Sequence, residues 1–407
     1  MNLFAFGSNG SGQLAIGHTE DVATPTECLF ETPLSDNDEI EQIAAGGNHT
    51  LLRTKNGHIY AAGCNTDGRC GPGRRIPTQH HSRNELDENL LRFRKVTLPY
   101  PSGPIDTFTH ASATWEGSIL VASVPAPVGA DELARQDVVF VMGSSPKGEL
   151  GLAVPANPAV AVSPDAAISI PDFPPRGTTI TALASGMGHS VAVLSNGDVY
   201  GWGGSRKGQL GNNLKEQKIV WTPSHIGDIP FKASGAVCGR EFTVLLGDRA
   251  QGEFVVLGDP ANRWGVLDIP DSVHSLRSAP VKGFVDIGAS WHGIYVHAAS
   301  LDAESGSSSA GGRLIAWGRN DRGQLPPSDL SPKKIAVGSE HVLALLPDGS
   351  VAAFGWGEHG NCGTDTDPRG NVAETYNAIL LPDPVRAAGR RVVGLGAGCA
   401  TSWLVVG

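Results

Sequence analysis

Hydrophobic positions along this chain fall in short runs, each closed by a glycine or a polar turn. In His189–Gly204, Val191, Val193 and Val199 alternate with small or polar residues. A period of two is the signature of a strand, not of a helix. Asn196-Gly197 separates the two runs of that segment, and Asn56-Gly57 stands at the same place in an earlier one. Asn-Gly is the strongest short hairpin signal, because a two-residue turn needs φ > 0 at both positions. Pro347-Asp348-Gly349 punctuates a third segment in the same way. The pattern predicts many short antiparallel strands whose two faces pack against neighbouring sheets, with no single central core.

Self-comparison turns this pattern into a repeat. Each copy reads as an apolar strand, Gly-x-x-His or a relative, a second strand, a tight turn, a third strand ending in Gly, then a loop and Gln-Leu-Gly. Ile43–Gly71, Ile180–Gly211 and Ile335–Gly363 show it most fully. Weaker copies lie at Ile105–Leu152, Phe231–Leu267 and Phe284–Leu325. A further copy is split. Val392–Gly407 supplies its first two strands and Leu3–Gly17 its last two. Either half alone would leave an open sheet edge, which invites aggregation; joined, they close a ring. The expected fold is therefore all-β: one seven-bladed β-propeller over residues 1–407, closed by N- and C-terminal strands in one blade. Segments 72–103, 154–177, 299–312 and 365–391 read as inserts between copies. The first is predicted to carry a short helix around Glu85–Arg92, and the third to form a disordered hairpin tip.

Composition agrees. The chain has 407 residues with 53 Gly and 28 Pro, and interior glycine costs a helix about 1 kcal/mol. The formal net charge is −10, which disfavours nucleic acid and anionic lipid as direct partners and suits a basic patch. Cys28, Cys64, Cys70, Cys238, Cys362 and Cys399 contain no CxxC pair, so no zinc site is expected from this chain alone. No apolar stretch is long enough to span a membrane, and Met1–Phe6 reads as a strand, not as a leader. Free thiols in a reducing compartment follow as the expectation. Without secretion, the sequons at Asn9 and Asn48 carry no meaning.

Strand alternation places the loop after the first strand and the loop after the third on one face. These loops hold the candidate partner contacts: Asn9, His49, Trp115, His189, Glu241, Trp291, His292, Glu340, His341, Glu358, His359 and Trp403. Tryptophan is enriched where proteins bind one another. The plainer reading of the Gly-x-x-His histidines is structural, since a residue recurring by position suits a hydrogen bond to the adjacent blade. Trp202, Trp317 and Trp356 end third strands and read as packing residues. Binding is expected to survive changes at the opposite hairpin tips, Asn56 and Asn196.

Gly355–Gly360 matches GxGxxG, but turn residues follow it where a dinucleotide site needs a helix N-terminus. No GxxxxGK[ST], HExxH or GxSxG is present. The expectation is a chain with no catalytic, cofactor or metal site of its own.

The Gly-x-x-His and Gly-Gln-Leu-Gly signatures resemble the regulator-of-chromosome-condensation propeller family along essentially the whole chain. Within it, FAFGSNGSGQLAIGH with EDVATP, IAAGGNHT, GWGEHGNCG and GAGCATSWLVV are similar to the fungal α-tubulin suppressor, or killer-toxin-insensitivity, group. Copies two to five diverge more. The resemblance implies a non-catalytic cytoplasmic and nuclear protein that forms a heterodimer with a small CSL-type zinc-ribbon electron carrier, diphthamide synthesis protein three. It further implies support of diphthamide formation on elongation factor two and of Elongator-dependent modification of the tRNA wobble uridine. Two other functions remain open: a guanine nucleotide exchange factor for a small GTPase, and a ubiquitin-pathway or trafficking scaffold.

Overall fold

The computed structural model describes residues 2–35, 37–72, 89–125, 135–153, 167–274, 284–298 and 311–407. They form seven antiparallel sheets arranged as the blades of one propeller. Blade 1 comprises Ile40–Ala45, His49–Thr54, Ile59–Cys64 and Asn89–Lys95. Blade 3 repeats it with Ile180–Ser185, His189–Leu194, Val199–Gly204 and Ile219–His225. Blades 2 and 6 also have four strands, and blades 4 and 5 show three among the described residues. The closing blade joins the two ends as the split copy implies, with Val392–Ala397 and Thr401–Val406 from one and Asn2–Gly7 from the other, but its outer strand, Val22–Glu27, lies beyond the segment 3–17 expected to supply it. The junction is a full ladder, from Asn2 opposite Val406 through Phe4 opposite Leu404 to Gly7 opposite Thr401.

Strand alternation sends successive side chains to opposite seams. Val191, Val193 and Val199 pack with Leu245 of blade 4, whereas Ala192, Leu194 and Trp202 pack with Ile119, Val121 and Val141 of blade 2. Phe4, Phe6, Leu404 and Val406 meet Val342, Leu343 and Phe354 of blade 6. Leu3, Ala5, Trp403 and Val405 meet Leu52, Tyr60 and Ala62 of blade 1. The core is thus distributed over the seams, and loss of one blade would strip two of them.

The third strand ends at the same constraint in six blades. Gly7, Gly63, Gly143, Gly203, Gly318 and Gly355 all have φ between +94° and +117°. A Cβ on any of them would come within 2.3–2.5 Å of the carbonyl oxygen in the loop before the second strand. Only glycine fits both the dihedral and the contact.

Three details depart from the sequence pattern. The outer strands Asn89–Lys95, Ile168–Ser169 and Asn371–Ile379 lie inside segments read as inserts. Asn89–Arg92, expected to be helical, belongs to the first of these; Arg74, Arg75, His80, His81 and residues 304–310 of the ESGSSSAGG tip lie outside the described residues. The Asn-Gly turns are also of another type. Gly57 and Gly197 have positive φ but Asn56 and Asn196 do not. The Gly57 N–H bonds the Thr54 carbonyl and the Thr54 N–H bonds the His58 carbonyl, both at 2.9 Å. This is a type I turn with a left-handed glycine bulge.

Candidate partner-binding face

Five of the loops that follow the first strand are stitched to the next blade by backbone hydrogen bonds around the central channel. Gly47 donates to the Trp115 carbonyl (3.0 Å), Trp115 to Met187 (3.0 Å), Arg240 to Trp291 (3.1 Å), Trp291 to Ser339 (2.8 Å) and Ser339 to Gly398 (2.9 Å). Glycines at 46, 47, 186, 239, 338 and 398 let these backbones converge. The cavity they enclose measures about 160 Å³ and is lined by all seven blades. That is below the roughly 300–1,000 Å³ of ordinary ligand pockets. Trp115 of blade 2 and Trp291 of blade 5 meet with ring centroids 5.8 Å apart. The channel mouth is therefore closed by two half-buried indoles, with the Arg240 guanidinium 5.2 Å from the Trp291 centroid.

From this plug an aromatic and cationic belt runs outward over blades 4 to 6. Trp264, in the loop after the third strand of blade 4, has the Arg263 and Arg319 guanidiniums 4.9 and 4.8 Å from its centroid. The His292 ring stands at 5.6 Å from the same indole. Trp356 carries Arg322 at 5.0 Å and His359 at 5.3 Å, and its N–H donates to Glu358 at 3.1 Å. Beneath the belt lies a buried carboxylate. Glu340 accepts from Arg319 Nη1 (2.7 Å) and Gln324 Nε2 (2.9 Å), with His292 Nδ1 at 3.4 Å. Burial alone would raise the Glu340 pKa; the contacts with His292, Arg319 and Gln324 outweigh it and hold the carboxylate below its ordinary range.

The candidate residues divide sharply here. Trp115, Trp291, His292 and His359 are half-buried on this face, and Glu241 and Glu358 are exposed on it. Glu340 supports the belt from below. Asn9, His49, His189, His341 and Trp403 are buried and cannot touch a partner. The Asn9 side-chain oxygen Oδ1 accepts from the Leu14 N–H at 3.0 Å and fixes its own loop; the Oδ1 atoms of Asn65, Asn262 and Asn320 do the same for Cys70, Leu267 and Leu325. Trp403 fills the seam with blade 1.

The three Gly-x-x-His histidines are inter-blade clasps. His49 Nε2 meets Ser118 Oγ, His189 Nε2 meets Thr243 Oγ1 and His341 Nε2 meets Ser402 Oγ, each at 2.9 Å. Ser118 and Ser402 donate onward to the carbonyls of Arg69 (2.7 Å) and Asn361 (2.8 Å), so the imidazole must be the donor at Nε2 in both. The opposite nitrogens, Nδ1, are buried without a partner, which suits the neutral ring. Burial pushes the pKa of His189 and His341 down to about 4. Burial, with Arg69 nearby, pushes that of His49 to about 3. The seam carbonyl used by Arg69 and Asn361 recurs with other donors: Gln13 accepts from Thr50 Oγ1 (2.8 Å), Glu149 from Trp202 Nε1 (2.9 Å) and Val266 from Trp317 Nε1 (3.0 Å). Trp202 and Trp317 thus pack and latch seams, whereas Trp356 is open enough to join the belt.

Sequence reading missed Trp264, Arg263, Arg319 and Arg322. A signal existed: Asn262-Arg263-Trp264-Gly265 occupies the place of Asn9-Gly10-Ser11-Gly12, and an aromatic stands there where the other copies carry Ser11, Asp67, Lys147, Lys207, Arg322 and His359. Among the described residues no three His, Cys, Asp or Glu side chains come together as a metal site. The thiols at the channel, Cys238 and Cys399, are pushed up by burial to about 12 and about 11, so they stay protonated.

The repeat itself has relatives. Regulator of chromosome condensation (RCC1) repeat patterns match residues 2–52 and 196–246, and 40–69 and 180–209. An RCC1 repeat-containing protein of Schizosaccharomyces pombe is 31% identical over 406 residues, spanning 99% of this chain and 98% of its own. The chain belongs to the RCC1 repeat family. The mouse secretion-regulating guanine nucleotide exchange factor is 29% identical, over 97% of this chain and 82% of its own. Among solved structures, Prp20p of Saccharomyces cerevisiae, described with its binding to Gsp1p and histones, superposes with a TM-score of 0.67 at 18% identity, covering 99% of this chain and 90% of its own. Human WBSCR16 gives 0.68 at 17% identity with both chains fully covered. At such identities the two structures share the RCC1 propeller fold, and nothing finer follows from them.

Proposed function

We propose that this RCC1 repeat propeller is a non-catalytic docking protein whose partner binds the face carrying the Trp–Arg belt. One observation carries the reading: Trp264, Trp291 and Trp356 stand half-open beside stacked guanidiniums on a rigid surface. Trp and Arg dominate the few residues that supply most binding energy at protein interfaces. The partner in this proposal is a small CSL-type zinc-ribbon protein, diphthamide synthesis protein three, acting for Elongator-dependent wobble-uridine modification and diphthamide formation in cytoplasm and nucleus. The similarity of the chain ends and of blade 6 to the fungal killer-toxin-insensitivity group supports it. The propeller would hold that protein and orient its metal site.

Similarity to the mouse exchange factor over 97% of the chain favours a second reading. A GTPase would then sit on the same face, and nucleotide release would need only a shaped surface. Mixing the purified propeller with each candidate separates the two. Co-elution with the zinc-ribbon protein, without acceleration of GDP release from any small GTPase tested, supports the first. Accelerated release with no zinc-ribbon complex would replace it by the second.

A further inference from the structure

The belt contains more cationic charge than the protein itself neutralises. Lys207 is held by Asp259 at 2.9 Å, Arg69 by Asp67 at 2.7 Å, and Arg319 by Glu340 and Asp321 at 2.7 and 2.6 Å. Arg206, Arg240, Arg263 and Arg322 form no ion pair among the described residues. Three of these four lie 4.9–5.2 Å from indole centroids. Stacking limits their rotamers but leaves the guanidinium N–H groups unbonded, and it lowers the entropy lost when an acceptor arrives. The chain as a whole carries −10. Arg206, Arg240, Arg263 and Arg322 thus form an arc of guanidiniums without direct ion pairs over blades 3 to 6, interspersed with the exposed Glu241 and Glu358.

We infer that the arc docks an acidic protein segment, which lays successive Asp or Glu carboxylates on Arg240, Arg263 and Arg322. Guanidinium and carboxylate match as bidentate, charge-assisted pairs. The inference rests on the docking reading above and adds to it the chemistry of the partner; it also reverses, for this face, the expectation of a basic partner drawn from net charge alone. Single-stranded nucleic acid fits less well. Bases stack on open aromatic faces, and here the indoles already carry the protein's own guanidiniums. Glu241 and Glu358, exposed beside the arc, oppose a phosphate backbone with a charge at every step but leave gaps for carboxylates placed singly.

The test uses the full chain and two fluorescent probes of similar length and charge, a Glu-Gly repeat peptide and a uridine oligonucleotide. Binding is followed by anisotropy. The peptide is expected to bind saturably and to weaken about tenfold as salt rises from about 50 to about 300 mM. R240E/R263E/R322E is expected to weaken it about tenfold or more. R263E alone, at an exposed side chain, is expected to weaken it severalfold without risk to folding. K232E, beside the Asn196-Gly197 tip on the opposite face, is expected to change nothing. No saturable peptide binding, equal binding by the triple variant, or tighter binding of the oligonucleotide overturns the inference. If the triple variant still retains the zinc-ribbon protein, the arc inference falls and the docking reading stands. If the wild-type chain captures neither the zinc-ribbon protein nor a GTPase, the docking reading falls by itself, whatever the peptide does.

Discussion

The histidine clasps give the fold a pH dependence whose sign and size follow from the structure. His49, His189 and His341 are fully buried with pKa values near 3, 4 and 4, below the roughly 6.5 of an unfolded chain. A depressed histidine pKa means that below pH 6.5 the unfolded state binds more protons than the folded one. Stability contributed by the neutral ring is therefore intact above that pH and is lost as pH falls toward 4. At pH 5 each clasp loses about 2 kcal/mol and the three together about 6 kcal/mol. For a chain of 407 residues, with about 2.1 cal/mol/K of unfolding entropy per residue, this lowers Tm by about 7 °C. His110 and His297, also held low by burial, act in the same direction. Melting curves at pH 7.5 and 5.0 on the wild type and on H49Q/H189Q/H341Q isolate the clasps, because glutamine retains an N–H donor and does not titrate. The wild type is expected to drop about 7 °C more than the variant. Equal drops in the two proteins would refute the reasoning.

Glu340→Ala removes the carboxylate that holds Arg319, Gln324 and His292, and is expected to cost about 2–3 kcal/mol in urea unfolding. It should also shift the fluorescence of the neighbouring Trp264. Gly318→Ala places a Cβ 2.3 Å from the His292 carbonyl oxygen at φ +117°, so a loss of about 3 kcal/mol or more is expected; a Tm within 1 °C of wild type, where about 4 °C lower is expected, would contradict it. Leu404→Ala, in the ladder joining the two ends, is expected to cost about 2–5 kcal/mol, measured by the same unfolding.

Architecture was legible because it is periodic. Six copies repeat the glycine that ends the third strand, three carry Gly-x-x-His, and the two half-copies at the chain ends complete one another. The outer strands were not legible, because one of their faces is solvent. Val22–Glu27 and Asn371–Ile379 are largely half-buried or exposed along their length and carry no signature to distinguish them from connectors. The site was legible only in part. A repeat identifies a position without giving its direction, so His49, His189 and His341, at the first residue of the second strand, turn into a seam and not toward a partner. Trp291 and His292, which replace that pattern in blade 5, do reach the face. The belt residues Arg263 and Trp264 differ from the consensus of the copies, and sites carried by one repeat are lost when attention goes to what all repeats share.

The partner's footprint decides the central claim most directly. Hydrogen exchange on the propeller with and without its bound partner is expected to show protection confined to 239–241, 263–265, 291–292, 319–322 and 356–359. Protection of the hairpin tips at 56–58, 196–198 and 348–350, with the Trp–Arg belt unchanged, would contradict it.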